Sequence, residues 1–482
     1  MDKSYKINIA KNGGICVEKK PLSKTLKTWF GVGDFMYSLS VSFKTYYWTY
    51  FLTTVIALPL GAVGIMNTVI NVFDFVMAFC WGAIIDAIRP GKYGRYRTVI
   101  FLMAPLIVIS HAFQWFAPTL YAFGFTATIA VVATCICFAI YIVFFNFAWC
   151  ANVSLIGVCA TNEKERAHLS GMRNAWNKAC GIVVSYIAVF LISLFSNPVV
   201  GYAAAATIMG ALTVPGYWLH FWMTKGYEPT REELEKSGKA DVQKRNRISF
   251  RQIIEVIRSN AQILWVLLAN SCTQLSLFVF SYMGVYLFTM SLDRADMYAF
   301  YLTITNVAAV VASLLANVIA KKVPIKKIVQ IGLQVDIVAI IAARQFAVAG
   351  KAGMFTVSMV IVQFALALAT PGIITFYSNC AIYSEWKTGI NCTGTIMGLT
   401  GVPVKISLTV IGILIPAVLK ATGYVANEPL TEAVKSALIN SYSFIPLGLF
   451  VCAFLLITFL YKLTQEKMVQ YADEIAERRA EQ

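Results

Sequence analysis

The chain has 482 residues, 58% of them hydrophobic and 13% charged, with a mean hydropathy of +0.68. A soluble domain holds about 45–50% apolar and about 25% charged residues, so this composition excludes one and describes an integral membrane protein. The formal charge of +16 is compatible with nucleic acid or with a membrane surface, and its distribution along the chain separates the two.

The N-terminus is polar and lysine-rich as far as Lys27 and lacks a small-residue cleavage site, so no cleavable signal peptide is expected. The apolar runs that follow are long and repeated, which predicts spanning helices rather than a barrel. Twelve candidate spans cover approximately residues 27–55, 59–87, 98–117, 121–158, 168–196, 199–223, 260–290, 297–320, 328–350, 353–382, 393–422 and 437–462. Of the 40 lysines and arginines, 31 fall in the two tails and in every second loop, and about 5 in the alternate loops. That asymmetry predicts both termini in the cytoplasm of a multi-pass protein of the cell membrane. It also assigns the basic excess to topology, with the lipid bilayer as partner and no nucleic acid.

The longest interior polar stretch, 224–259, is dense in Glu, Lys and Arg and reads as a solvated cytoplasmic linker. It divides the chain into a tail (1–26), a six-helix bundle (27–223), the loop itself, a second six-helix bundle (260–462) and a C-terminal tail (463–482). The eleven cysteines are scattered, mostly in apolar runs, without a CxxC or Cys/His cluster. They read as small buried hydrophobes, with no metal site and no cofactor expected. The spans carry no nucleophile–base constellation either, so the protein is not expected to be an enzyme.

Charges inside the spans carry the functional signal. Asp74 in span two and Lys405 in span eleven are each about 18–22 Å from the cytoplasmic end of their helix, near the bilayer midplane. An unpaired charge there costs at least ~2.5–3.5 kcal/mol, and such charges persist mainly where they pair or line a pathway. Counting Asp34, Asp74 and Asp336 against Lys44, Arg173, Lys178, Arg344 and Lys405, the membrane interior is positive, which favours an anionic substrate. Asp336 and Arg344, in span nine, are expected to bond neighbouring helices or snorkel. Lys44 either lines an outer cavity or reaches the outer interface. His111 and His220, in spans three and six, are expected to hydrogen-bond between helices rather than relay protons.

After span two the chain reads Gly82, Asp86, Arg89, Pro90, Gly91, Lys92, Gly94, Arg95, Arg97. This G-x-x-x-D-x-x-R-P-G-K-x-G-R-x-R pattern resembles the cytoplasmic signature of the major facilitator superfamily. It implies an all-α membrane protein of twelve transmembrane helices in two six-helix bundles, the major facilitator fold. Gly82, Asp86 and Arg95 become gating candidates, with arginines able to latch neighbouring helix ends.

Four stretches together resemble the glycoside–pentoside–hexuronide:cation symporters, the melibiose permease family. They are GVGDF at 31–35; FLTTVIALPLGAVGIM with Asp74 and GKYGRYR; TNEKERAHLSGMR at 161–173; and EWKTG at 385–389 with Gly394 and Lys405. The resemblance implies that Asp34 and Arg173 hold sugar hydroxyls and that Asp74, with Lys405 nearby, serves cation coupling. It adds Glu385 to the gate. The family's second helix-two aspartate is replaced by Ala78, and the aspartate of its D-Y-G-E-W motif by Ile382. Sodium needs several oxygen ligands, so the coupling cation is expected to be H+ rather than Na+.

In this architecture spans one, four, seven and ten usually line the cavity. Asn146, Trp149 and Asn152 follow one another at spacings of three on span four, and Arg173 and Asn177 share a face of span five. With Asp34 they form a candidate sugar site of flat ring, amides and charges. The expected function is a secondary transporter importing a sugar or glycoside, including anionic ones such as a uronide or sulfonated sugar, by cation symport as a monomer. The alternatives are an uncoupled facilitator or exchanger of another small polar metabolite, or a non-transporting membrane receptor.

Overall fold

Apolar runs of about 20 residues can leave water only if their backbone groups bond within the segment, which a helix does. The computed structural model of the protein is built accordingly. It describes residues 6–9, 15–18 and 21–480, except 89, 161–162, 229, 232–259, 321, 390–392, 427 and 429. The central loop therefore lies largely outside the described residues.

The spanning helices, in chain order, are α1 (Val32–Tyr50), α2 (Leu60–Ala87), α3 (Tyr96–Phe116), α4 (Ala127–Cys159) and α5 (Glu163–Ser193). The sixth span is broken into α6 (Pro198–Ala211) and α7 (Thr213–Met223). Then come α8 (Ala261–Tyr286), α9 (Ala295–Ile319), α10 (Ile325–Val348), α11 (Ala352–Thr388), α12 (Val402–Ala421) and α13 (Glu432–Leu455). A last helix, α14 (Gln465–Ala480), follows the membrane region. Eleven of the segments among the described residues are long and apolar enough to cross a membrane, not the twelve expected. The shortfall is α1, whose Asp34 and Lys44 and run of serines, threonines and tyrosines dilute its hydropathy. Its 19 residues continue into a five-residue π turn, Phe51–Val55, and at about 1.5 Å per residue the helix is still about 28 Å long.

The tails carry small elements of their own. Lys6–Ile9 and Ile15–Glu18 pair antiparallel in a small hairpin, with Lys6 opposite Glu18. At the other end, α14 docks on the end of α11: the Trp386 indole donates to Glu474 at 2.6 Å and stacks on Tyr471 at 4.3 Å. That bond holds the Glu474 carboxyl below the ordinary glutamate range.

Side-chain caps start several helices, as at Thr126 for α4 and Asn197 for α6. Large apolar side chains remain outward, Ile65 at 67% exposure and Val338 at 68%, as a lipid-facing surface allows. Small residues bring helices together: Ala309 and Ala312 of α9 are buried with Ala367 of α11. The residues fall into two units, one of 1–44, 54–62 and 72–244, the other of 45–53, 63–71 and 245–482. In the second, Asn71 of α2 donates to the Leu408 carbonyl of α12 at 2.7 Å, and the Tyr301 and Tyr442 hydroxyls meet at 2.9 Å.

The loop before α3 folds around a buried carboxylate. Glu228 accepts the backbone N–H groups of Arg95 (2.7 Å), Tyr96 (2.8 Å) and Arg97 (3.1 Å), satisfying donors that the first turn leaves open. Gly94 takes φ +95°, and a Cβ there would lie 2.5 Å from Glu228 Oε2, so only glycine fits. Arg97 then donates to the Phe221 carbonyl, 3.1 Å from Nε and 2.8 Å from Nη2, tying α3 to the end of α7. Burial pushes the Glu228 carboxyl up, while the three N–H donors and Arg97 pull it down. Glu228→Ala leaves those three donors without their acceptor and is expected to lower stability by about 1–3 kcal/mol. Thermal unfolding of the detergent-purified variant measures this; an unchanged midpoint would contradict the capping role.

Candidate functional site

Asp34 is the centre of the first unit. It stands in the first turn of α1 with no solvent exposure, and a buried carboxylate needs donors. Arg173 of α5 supplies one, its Nε 2.7 Å from Asp34 Oδ1. Asn152 of α4 supplies another, its Nδ2 3.0 Å from the same oxygen. Asp34 Oδ2 is also buried and accepts no hydrogen bond among the described residues. The Arg173 guanidinium lies 5.7 Å over the Trp149 ring of α4. One turn along both helices, Ser38 donates to Asn177 at 2.6 Å, a second rung between α1 and α5.

The chain of bonds extends to α7. His220 Nδ1 is 2.6 Å from Asn152 Oδ1, and its Nε2 meets the Phe30 carbonyl just before α1. His220 is fully buried and stacks on the Phe30 ring. The crossing of α1 and α7 is close because both helices carry glycine there. A Cβ on Gly33 would sit 2.8 Å from His220 Cγ, and one on Gly216 would sit 2.6 Å from Met36 Cβ. The GVGDF motif thus supplies the carboxylate and the space beside it.

Of the expected substrate residues, Asp34, Trp149, Asn152 and Arg173 come together, and Asn177 stands one turn further along α5, bonded to Ser38. Asn146 does not join them: its Nδ2 donates to Asp74 Oδ1 at 2.8 Å and to the Ile142 carbonyl at 3.0 Å. Asn146 therefore belongs with the cation-coupling candidate. Lys405 is carried by α12, in the second unit. Among the gating candidates, Arg95 offers its backbone N–H to Glu228, and the Arg97 guanidinium reaches the end of α7. Glu385 ends α11, where its carbonyl accepts from Gly389. The side chains of Gly82, Asp86, Ala78 and Lys178 lie outside the described residues, as does Arg89. Arg344 donates to Asn440 at 2.9 Å, whereas both Asp336 oxygens are buried without a hydrogen bond among the described residues. Among those residues no group of acidic, histidine and cysteine side chains could hold a metal.

Two residues central to this geometry were not among the site candidates. His220 looked peripheral because span six looked peripheral, and Glu228 looked like part of a solvated charge run. The available signal for His220 was the glycine pair that leaves room for it.

The chain is a multi-pass helical protein with buried, mutually bonded polar side chains on α1, α4, α5 and α7. The chain belongs to the family described as MFS/sugar transport protein, which matches residues 29–465. It is 25% identical over 463 residues to a putative sulfoquinovose importer of Salmonella typhimurium, covering 95% of this chain and 94% of that one. It is 21% identical over 422 residues to an isoprimeverose transporter of Lactiplantibacillus pentosus, covering 87% and 84%. Its fold resembles the crystal structure of a D-xylose-proton symporter, with a TM-score of 0.64 at 16% identity over 92% of this chain and 98% of that one.

Proposed function

We propose that the protein imports an anionic sugar or glycoside by proton symport across the cell membrane, with both termini cytoplasmic. The observation that carries this reading is Arg173. It is 13% exposed, it is paired with a fully buried Asp34, and its guanidinium lies over Trp149. An arginine fork binds a carboxylate or sulfonate, an aromatic face packs on sugar C–H groups, and Asp34 and Asn177 accept from or donate to hydroxyls. The relative described as a putative sulfoquinovose importer supports a sulfonated or uronic sugar over a neutral one. The Arg173 guanidinium beside an aromatic ring favours a sugar over an unrelated small metabolite.

Charge-assisted hydrogen bonds contribute ~1.5–3 kcal/mol, so Arg173→Ala should weaken sugar binding by roughly 10- to 150-fold. Arg173→Lys should retain more binding of an acidic sugar than Arg173→Gln. Equal binding by wild type and a folded Arg173→Ala variant, read by equilibrium dialysis, would sink the assignment.

Coupling is assigned to Asp74, held by the Asn146 amide, and to Lys405. Ala78 stands where the family carries a second helix-two aspartate, which removes one oxygen ligand that sodium would use, whereas a carboxylate alone can carry a proton. Uptake in proteoliposomes should therefore follow an imposed pH gradient and stay flat when sodium is varied at fixed pH and voltage. A steep sodium dependence would overturn proton coupling. Lys405→Ala should abolish concentrative uptake while leaving exchange measurable, because exchange does not require the empty carrier to return. Accumulation at the wild-type level in that variant would remove Lys405 from the mechanism.

A further inference from the structure

The bonds around His220 constrain its protonation. Asp34, when ionised, only accepts, so Asn152 must turn its NH2 toward it, leaving Asn152 Oδ1 toward His220. An amide oxygen only accepts, so His220 Nδ1 must donate. The Phe30 carbonyl also only accepts, so Nε2 must donate as well. An imidazole that donates from both nitrogens is an imidazolium. We propose that His220 carries a proton in the substrate-free protein and that this proton makes the Asp34–Arg173 site selective for an anion.

The charge arithmetic explains the selectivity. With the proton held, Asp34, Arg173 and His220 sum to one positive charge. When it leaves to solvent, they sum to zero, and the His220 Nδ1 lone pair then faces the Asn152 oxygen. Relieving that clash by turning the amide would place its oxygen against Asp34. Either arrangement loses a hydrogen bond, so proton loss weakens both the positive charge and the positioning of Asp34. Above the His220 midpoint, where the free protein has lost this proton, an anionic sugar then binds together with one proton. His220 acts here as a positioning residue, through Asn152.

Asp34 on α1 favours the His220 charge, and burial and Arg173 on α5 oppose it. Tyr37 on α1 and Tyr217 on α7, whose rings stack 5.9 Å apart, are neutral near neutral pH. On α3, the Arg97 guanidinium is occupied by the Phe221 and Tyr93 carbonyls. Beyond α7, Glu228 is occupied by the N–H groups of α3.

This proposal rests on the anionic-sugar reading above, and the tests separate the two. The chain contains three histidines, so nitrogen-15 NMR of histidine-labelled wild type, assigned by elimination with His168→Gln and His111→Phe, reads His220 directly. Both His220 nitrogens should be protonated near pH 6.5; a single neutral tautomer there overturns the proposal. Binding of D-glucuronate, with D-glucose as the uncharged control, is then followed against pH. For one linked proton, wild-type glucuronate affinity should fall about tenfold per pH unit above the midpoint, and His220→Asn should flatten that slope. Parallel slopes in wild type and His220→Asn overturn the proposal. If neither sugar binds wild type, the substrate reading fails while the NMR result still decides the state of His220.

Discussion

A carboxylate without water must be answered by the protein, and Asp34 is the clearest case in this chain. Removing one partner of a buried ion pair costs roughly 3–5 kcal/mol, so Arg173 and Asn152 are held to it. Because those partners sit on α5 and α4, one side chain of α1 fixes three helices at a common point. His220 adds α7 through Asn152, and the same chain returns to the backbone before α1 at Phe30. In the proposed mechanism, substrate chemistry, proton chemistry and helix packing in this unit therefore share one set of bonds.

The membrane explains why most of these polar groups are bonded within the protein, with Asp34 Oδ2 and both Asp336 oxygens as exceptions among the described residues. Outside the bilayer, a spare donor finds water; within it, each must find a protein partner. Asp74 is met by Asn146, and Ser38 by Asn177. Close approach is what makes the allocation possible, and at the α1–α7 crossing it depends on Gly33 and Gly216. A methyl group at either would push the helices apart and lengthen the His220 bonds.

Much of this was legible in the residues. Long apolar runs gave the helices, and the GVGDF and TNEKERAHLSGMR motifs located Asp34 and Arg173, which the structure pairs. What could not be read was which polar residue meets which. Asn146 and Asn152 fall on roughly one helical face, but six residues separate them by about 9 Å along the axis. That rise sends one to Asp74 and the other to Asp34. Span six read as one peripheral helix, yet its break at Leu212 starts the short α7 that carries His220 inward. Glu228 sits four residues into a charged stretch, and nothing local distinguishes it from its solvated neighbours; only the turn at Gly94 makes it a cap. The first helix was expected among the apolar spans, and its polar residues, which lower its hydropathy, are the ones that build the site.

The most direct test of the account is counterflow into proteoliposomes with a panel of neutral and acidic sugars at one pH and zero voltage. Preloaded uronic or sulfonated sugars should drive counterflow of one another while neutral hexoses, pentosides and disaccharides do not. Counterflow driven equally well by neutral sugars would contradict the assignment of Arg173 as the receptor for an anion.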